Sequence, residues 1–447
     1  MEKEFKSKII KLALPIAAQQ FMLALVSACD AFMLGGLNQD SLSAVSLASQ
    51  ITFVFNLILT ALTIGENMFI AQYYGKGDYV GLKKYFSLII KYTSNVSFLF
   101  LIAVFFFSRQ LMYIFTSDVV LIELGIKYLK IIGFSYVLSG ILQVLQGILK
   151  NCGYIGKCTM ISVIVVCTNI LLNALFIYGY LFFSRMEIAG AALATVIANL
   201  IGLIIALYIL HPVKELKLSL NDFKNKDTCV INKFWKHVYP VLLNELVWGL
   251  GFTMYSVIMG HLGSDAVAAN SVANITKNLL ICICTGFGYG GSIIVGNLLG
   301  EGEISKAKQA GDSLCLISII SGVLTGAIIL LLTPLILRFS NLEASATNYL
   351  KYMLFISGYY VIGKSINSMT IGGIFPAGGD TKFGLKCDTV TMWCVTVPLG
   401  CITAFILKLP VLTVYFVLNL DEIVKLPVVY KRYKQYKWLQ NLTETEN

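Results

Sequence analysis

Apolar runs of roughly 20 residues, separated by short polar loops, fill almost the whole of this chain. A helix of about 20 apolar residues crosses the hydrocarbon core of a bilayer, so each run predicts a membrane-spanning helix. Because 57% of the 447 residues are hydrophobic and only 13% are charged, no soluble fold has an interior large enough to bury them. The predicted spans cover residues 13–35, 45–72, 86–107, 122–149, 159–181, 189–210, 238–260, 267–298, 311–337, 349–375, 387–407 and 411–430.

The basic residues predict how these twelve spans are oriented. An even number of spans brings both termini to one side, and most Lys and Arg residues lie in the tails and loops on that side. The opposite loops contain Arg109, Arg185, Arg338 and Lys408. Because cytoplasmic loops carry the excess of basic residues, we expect a multi-pass protein of the inner (plasma) membrane with both termini in the cytoplasm. The net charge of +10 then follows from topology, and no nucleic-acid partner is expected.

The chain consists of two halves of related sequence. Adding 225 to many residue numbers of the first half gives the same residue type in the second half. Six spans return the chain to its starting side, so the two repeats have the same orientation, an arrangement found in alternating-access transporters. The predicted domains are 1–210, a basic cytoplasmic linker at 211–237, 238–430 and a cytoplasmic tail at 431–447. The matched pairs include Pro15 and Pro240, Ala44 and Ala269, Gly65 and Gly290, Gly75 and Gly300, Gly77 and Gly302, Gly133 and Gly358, Gly147 and Gly372, and Lys157 and Lys382.

The first span carries a single carboxylate, Asp30. An acid within the hydrocarbon region costs several kcal/mol unless it faces a cavity or a partner, so its default interpretation is functional. A structural role is the alternative: Asp30 reaches the outer interface or pairs with a lysine, for which Lys127 and Lys130 of the fourth span are candidates. A second acid, Glu66, lies near the cytoplasmic end of the second span and is expected at the membrane interface.

Several segments carry a resemblance to a known family: LALPIAAQQ in the first span, AQYYGKGD repeated as GNLLGEGE, and GILKNCGY repeated as GGIFPAGGDTK. In their order and spacing they resemble the multidrug and toxic compound extrusion (MATE) family over essentially the whole chain, and most closely its prokaryotic DinF-like branch. The resemblance implies an all-α integral membrane protein with twelve transmembrane helices in two six-helix lobes that form a V. It also implies antiport of a drug outward against H⁺ or Na⁺. We expect no enzymatic activity, no cofactor beyond the coupling ion, and a functional monomer in the lipid bilayer.

In the DinF-like branch, the first-helix Asp and polar residues of the fifth and sixth helices bind the cation. The matching residues here are Asp30, Asn169, Asn173 and Thr195. The two asparagines are four residues apart and therefore share a helix face. The helical rise also places Asn173 and Thr195 at a similar depth. These oxygens suit Na⁺, although hydrogen bonding between helices is the alternative for each amide or hydroxyl taken alone. Many relatives have an acid where Asn173 stands, so the choice between H⁺ and Na⁺ stays open.

The second half has intramembrane charges of its own. Some MATE branches use a seventh-helix Glu, which Glu245 resembles, but the tenth span has Ser365 and Asn367 where the partner Asp would be. Two interpretations stay open: charges at matched depth neutralise each other inside the bundle, or they form a second proton or substrate site. The residues concerned are Asn244, Glu245, Lys277, Lys364, Asp421 and Glu422. Glu245 and Lys364 are expected at one depth toward the cytoplasmic face, and Lys277, Asp421 and Glu422 near the membrane midplane.

The substrate class follows only in outline. A carboxylate and many aromatic residues favour lipophilic organic cations over anions. The alternative function is that of a flippase for lipid-linked precursors, which belongs to the same superfamily and needs a strongly cationic cavity. The deep lysines of this chain have acids at matched depth, so export of small organic molecules is the preferred hypothesis. The individual substrate and the side to which the transporter opens stay open.

Overall fold

The computed structural model describes residues 2–35, 39–180, 184–219, 222–223, 227–340 and 342–444. Within these ranges the chain folds into helices joined by short turns and contains no β-strand. The end of the predicted fifth span, the linker residues Lys224 and Lys226, and residues 445–447 lie outside this description. The helices that match the predicted spans are α1 (Glu2–Gly35), α2 (Gln39–Lys76), α3 (Tyr79–Phe106), α4 (Val119–Asn151), α5 (Ile155–Tyr178), α6 (Glu187–Leu210), α7 (Thr228–Gly260), α8 (Ser264–Gly300), α9 (Ile304–Phe339), α10 (Ala344–Met369), α11 (Thr381–Ile406) and α12 (Val411–Leu418).

Nine of the described helices are long and apolar enough to cross a membrane: α2 to α9, and α11. The first helix contributes a shorter apolar stretch, Leu14–Val26. The tenth carries polar side chains that it buries inside the protein, among them Ser357, Ser365 and Asn367. Its hydropathy is therefore lower than that of a helix that faces lipid all round.

The twelfth span differs from the prediction of one helix over 411–430. It consists of α12 followed by two short helices, Asp421–Val424 and Leu426–Lys434. The first break lies at Asn419, whose side-chain amide donates to the backbone oxygen of Tyr415 at 2.7 Å. Pro427 stands in the first turn of the last short helix, where its missing N–H is tolerated. The middle segment thereby begins with Asp421 and Glu422, two acids that face neighbouring helices rather than lipid.

The two halves repeat the same turn after the second helix of each. Gly77 and Gly302, which are 225 residues apart, both adopt a left-handed conformation, with φ of +75° and +78°. That region is open to glycine and strained for other residues. In the first copy, Asp78 then caps α3 by accepting a hydrogen bond from the backbone N–H of Gly81 at 2.9 Å. The GKGD and GEGE motifs therefore end one helix and begin the next.

The chain forms two compact units. One, hereafter the N-unit, comprises Met22–Ile70 and Asp78–Phe234. In its interior the rings of Phe55 and Tyr136 lie 4.8 Å apart, and the Tyr136 hydroxyl is 2.9 Å from that of Thr52. These contacts join α2 to α4 and place a polar group inside an otherwise apolar core.

The other unit, hereafter the C-unit, comprises Met1–Phe21, Ala71–Gly77 and Trp235–Asn447. The last turn of α2 is held in it by Gln72, which donates to the backbone oxygen of Ala377 at 2.6 Å and accepts from the N–H of Leu442 at 2.5 Å. The predicted tail packs here as well, since Trp438 is completely buried. The end of the chain therefore contributes to the core of the C-unit.

Candidate functional site

The predicted residues of the first half form one hydrogen-bonded chain inside the N-unit. The side-chain amide of Asn173 donates to Oδ1 of Asp30 at 2.5 Å and to Oδ1 of Asn169 at 3.0 Å. The amide of Asn169 in turn donates to the hydroxyl of Thr195 at 3.1 Å. The structure therefore brings together all four side chains, which come from α1, α5 and α6.

The centre of this chain is buried and has one oxygen without a hydrogen-bond partner among the described residues. Asn169 and Asn173 are 2% and 0% exposed. Asn173 donates both of its amide hydrogens, while its Oδ1 is buried and has no hydrogen-bond partner among the described residues. A buried polar atom without a partner costs about 1–3 kcal/mol. The Oδ1 atom of Asn173 is thus available to a ligand beside the Asp30 carboxylate.

Small residues on α6 allow it to approach α5 closely. A Cβ atom at Gly190 would lie 2.7 Å from the backbone of Phe176, so only glycine fits at this contact. The hydroxyl of Thr195 donates to the backbone oxygen of Ala191 at 3.1 Å and is therefore oriented to accept from Asn169. The buried small residues of α6 are Gly190, Ala191, Ala192, Ala194, Ala198, Gly202 and Ala206.

The outer end of α1 is fixed to the same helices. The hydroxyl of Tyr178 on α5 donates to the backbone oxygen of Met33 at 3.0 Å, one turn beyond Asp30. The lysines considered as partners of Asp30, Lys127 and Lys130, are exposed, whereas Tyr128 between them is close enough to Asp30 to interact electrostatically. Tyr128 was not predicted as a site residue, because a tyrosine on a helix with several aromatic residues carries no distinguishing signal in the sequence.

This arrangement can hold either of two small cations. The Asp30 carboxyl accepts a hydrogen bond through Oδ1, which both its ionised and its protonated form can do. One carboxylate, two amide oxygens and a hydroxyl are hard oxygen donors of the kind that Na⁺ prefers. A proton on Asp30 would instead use the carboxyl group alone. Because both ions need the same carboxylate, they must compete.

The second half contains a buried network of charges centred on Lys425. This lysine is 2% exposed, and its ammonium group lies 2.7 Å from Asp388, 3.4 Å from Glu422 and 3.9 Å from Asp421. Neither Lys425 nor Asp388 was predicted as a member of this network. Lys425 could have been found, since it follows Asp421 by four residues and Glu422 by three, which places it on their helix face. Asp388 lies on another helix and has no such local signal.

Glu422 links this network to the tenth helix. Its carboxylate lies 3.2 Å from Lys364 and accepts a hydrogen bond from the amide of Asn367 at 2.7 Å. The ammonium group of Lys364 also lies over the ring of Trp248, 4.8 Å from its centroid. Glu245 and Lys364 were predicted at one depth, and they are near enough to interact electrostatically. The direct ion-pair partner of Lys364, however, is Glu422. The neighbouring Asn244 keeps a buried Oδ1 without a partner among the described residues.

Lys277 does not pair with the acids that were expected at its depth. It donates to Oδ1 of Asn419 at 3.3 Å, and its ammonium group lies 4.9 Å from the ring centre of Tyr360 and 5.3 Å from that of Tyr415. Cation–π contacts and one amide therefore replace the expected ion pair. The charges of Asp421 and Glu422 are compensated by Lys425 instead. The depth of a residue along its own helix does not reveal which side chain it contacts.

Comparison with known proteins identifies the family. The MatE family model matches the chain twice, at residues 15–175 and 240–402, and the chain belongs to this family. The two matches begin 225 residues apart, the same offset that relates the two halves in the sequence. The chain is 21% identical to "Uncharacterized transporter YisQ" of Bacillus subtilis, over 97% of this chain and 95% of that protein. It is 23% identical to "Probable multidrug resistance protein NorM" of Thermotoga maritima, over 89% and 85%.

Solved structures show the same fold. A MOP superfamily transporter from Pyrococcus furiosus matches with a TM-score of 0.88 and 19% identity, covering 99% of this chain and 97% of that one. The Vibrio cholerae MATE transporter VcmN, in a mutant form, matches with a TM-score of 0.89 and 15% identity, covering 98% and 99%. The predicted family and the all-α membrane fold are confirmed. The protein is a multi-pass membrane transporter and not an enzyme.

Proposed function

We propose that this protein exports lipophilic organic cations from the cell in exchange for cations that enter through the Asp30 site. The observation that carries the proposal is the hydrogen-bonded chain from Asp30 through Asn173 and Asn169 to Thr195. It joins one carboxylate to neutral oxygens within a single compact unit. Relatives named as multidrug resistance and multidrug extrusion proteins support two parts of this proposal: the substrates are drug-like molecules, and they are transported outward.

Protons are the main coupling ion in this proposal, with sodium as a weaker competitor. Asp30 has no ion pair among the described residues, so a bound cation or a proton compensates its charge. Asn173 supplies a neutral oxygen where a second carboxylate would attract Na⁺ more strongly. Sodium binding to the ionised site therefore requires a proton to leave Asp30. In the transport cycle, alternating access exposes the Asp30 site to one side of the membrane and then to the other. The protein functions as a monomer in the plasma membrane, with both termini in the cytoplasm.

A flippase function is less well supported. Such a protein needs uncompensated cationic groups to hold a pyrophosphate. The direct partner of Lys364 is Glu422, and Lys425 contacts three carboxylates. Lys364 and Lys425 are therefore compensated by carboxylates, and Lys277 contacts an amide oxygen and two aromatic rings within the protein.

Transport in proteoliposomes tests the proposal with Asp30→Asn. We expect a fluorescent lipophilic cation to leave vesicles under an imposed pH gradient with the wild type and not with the variant. The variant should remain folded, because neutralising a buried carboxylate removes its desolvation cost. Its melting temperature in detergent serves as the control. Equal export by both proteins would exclude Asp30 as the coupling residue.

A further inference from the structure

Glu66 on α2 is buried, contrary to the expectation that it lies at the membrane interface. Its exposed fraction is 0%, and both carboxylate oxygens are buried without a hydrogen-bond partner among the described residues. The carboxyl group packs directly against Gly147 of α4, where an added Cβ would lie 2.4 Å from Oε2. Buried polar groups without partners are rare in proteins, and each one requires a physical explanation.

The charged and titratable groups around Glu66 permit two protonation states. Lys150 on α4 interacts with it electrostatically but makes no direct ion pair with it. Cys152 and Cys158 are the other titratable groups that interact with it. Lys150 and the backbone N–H of Ile148 favour the ionised carboxylate, but no side-chain donor among the described residues bonds to it, so protonating Glu66 breaks no side-chain hydrogen bond. The same lysine repels a metal cation, so a proton is the ion that this position suits.

A polar stripe on α5 leads from the Asp30 site to Glu66. At the start of α5 this stripe contacts Gln146 of α4. The side-chain amide of Gln146 lies 3.4 Å from the hydroxyl of Ser162, and its backbone oxygen lies 3.4 Å from the thiol of Cys158. Gln146 directly precedes Gly147, the residue on which the Glu66 carboxyl rests. Val166 is the one apolar member of the stripe. Successive members of the stripe are three or four residues apart and therefore share one face of α5. The members, all buried, are Asn173, Asn169, Val166, Ser162 and Cys158.

The stripe is long enough to cross most of the membrane. From Asn173 to Cys158 is 15 residues, or about 22 Å at the helical rise. The hydrocarbon core is about 30 Å thick. Asn173 lies near the last turn of α5, while Cys158 lies in its first turn, beside the end of α4. In the proposed orientation this end faces the cytoplasm, so Asp30 and Glu66 lie toward opposite sides of the N-unit.

The second half shows that the fold does not require these charges. The residues that correspond to Glu66 and Lys150 at the 225-residue offset are Gly291 and Phe375. A Cβ added at Gly291 would lie 3.0 Å from the sulfur of Met369 and 3.1 Å from a methyl group of Leu314, so the surroundings of this position are apolar. At this pair of positions, therefore, a buried acid with a nearby lysine is present in the first half and not in the second.

We propose that Glu66 is a proton relay on the cytoplasmic side of the first half, an inference that rests on the proposed proton coupling at Asp30. The O–H bond of protonated Asp30 breaks, and water molecules alongside Val166 carry the proton to the ionised carboxylate of Glu66, where a new O–H bond forms. Glu66 then releases the proton to cytoplasmic water and returns to its ionised state beside Lys150. Each turnover moves one proton and leaves both carboxylates unchanged.

Transport and binding measured on the same variants test the relay. In proteoliposomes, Glu66→Gln should slow pH-driven export of a fluorescent lipophilic cation by about 100-fold, the low end of the contribution of a positioned proton-transfer group. Equilibrium binding of that cation and the melting temperature should stay at their wild-type values. Glu66→Asp should recover most of the rate, because it restores a titratable group. Glu123→Gln is the matched control, since Glu123 is an exposed acid on α4.

The outcomes separate the relay from the proposed function. Wild-type export by Glu66→Gln overturns the relay, as does a loss of binding and stability that parallels the loss of transport. If Glu66→Gln does not fold, the double variant Glu66→Gln/Lys150→Met removes both charges, and wild-type export by that variant also overturns the relay. Persistent proton-driven export by Asp30→Asn would instead contradict the proposed coupling site, whatever Glu66 does.

Discussion

Replacing Asn173 by Asp tests the ion preference of the Asp30 site most directly. The side-chain nitrogen of Asn173 lies 2.5 Å from the Asp30 carboxylate, and the Oδ1 atom of Asn173 has no hydrogen-bond partner among the described residues. The substitution changes the shape of the side chain very little. It adds a second carboxylate to a site that now has one, and a cation between the two would contact both.

Electrostatics sets the size of the expected effect. Two unit charges about 4 Å apart interact by about 4 kcal/mol at an effective dielectric constant of about 20. This value is an upper limit, because the new carboxylate loses hydration and repels Asp30 while no cation is bound. If about one third of it remains, the gain is about 1.4 kcal/mol, which corresponds to a tenfold increase in affinity. Sodium gains more than the proton does, since Na⁺ contacts both carboxylates whereas a proton is bonded to one.

Export driven by a pure Na⁺ gradient and by a pure pH gradient measures this preference. We expect the sodium concentration for half-maximal export to fall about tenfold in Asn173→Asp, relative to the wild type. Asn199→Asp is the control, because its amide donates to the backbone oxygen of Thr195 instead of to Asp30. If the wild type runs on sodium alone and Asn173→Asp changes neither response, the competition at Asp30 does not occur.

Two further substitutions test the packing of the C-unit by thermal unfolding in detergent. Lys425→Met leaves three buried carboxylates without their common partner and should lower stability by about 3–5 kcal/mol, whereas Lys408→Met, at an exposed position, should change it by less than about 0.5 kcal/mol. Gly300→Ala would place a Cβ 1.9 Å from the backbone oxygen of Gln72 and should cost about 1–3 kcal/mol. Gly372→Ala meets open space and serves as its control. A stable Lys425→Met protein would mean that the acids are not ionised together.

The sequence was sufficient to predict the features that depend on local spacing. The length of the apolar runs predicted the membrane-spanning helices. The 225-residue offset between the two halves agrees with the two matches to the family model. Asn169 and Asn173 were placed on one face because four residues make about one helical turn. Their alignment with Thr195 depended on the direction and rise of two neighbouring helices, which short loops determine well.

The features that were missed depend on which way a helix faces. Depth along a helix predicts the height of a side chain but not its direction around the axis. Lys277 and Asp421 were expected at one height, yet Lys277 contacts Asn419 and two aromatic rings. Glu66 was placed near the interface by its depth alone, whereas the absence of a side chain at Gly147 lets its carboxyl group into the core. The sequence does not show which side chain packs against a glycine of a neighbouring helix.

The two halves compensate buried acids in different ways, and this difference bears on where coupling ions bind. In the C-unit, Asp388, Asp421 and Glu422 contact Lys425 directly, so binding or releasing an ion there must disturb at least one buried ion pair. Breaking such a pair costs about 3–5 kcal/mol. In the N-unit, the partner of Asp30 is the neutral amide of Asn173, and displacing a hydrogen bond to a charged group costs about 1.5–3 kcal/mol. Reversible cation binding therefore requires less free energy at Asp30, which favours the first half as the part of the protein that exchanges ions.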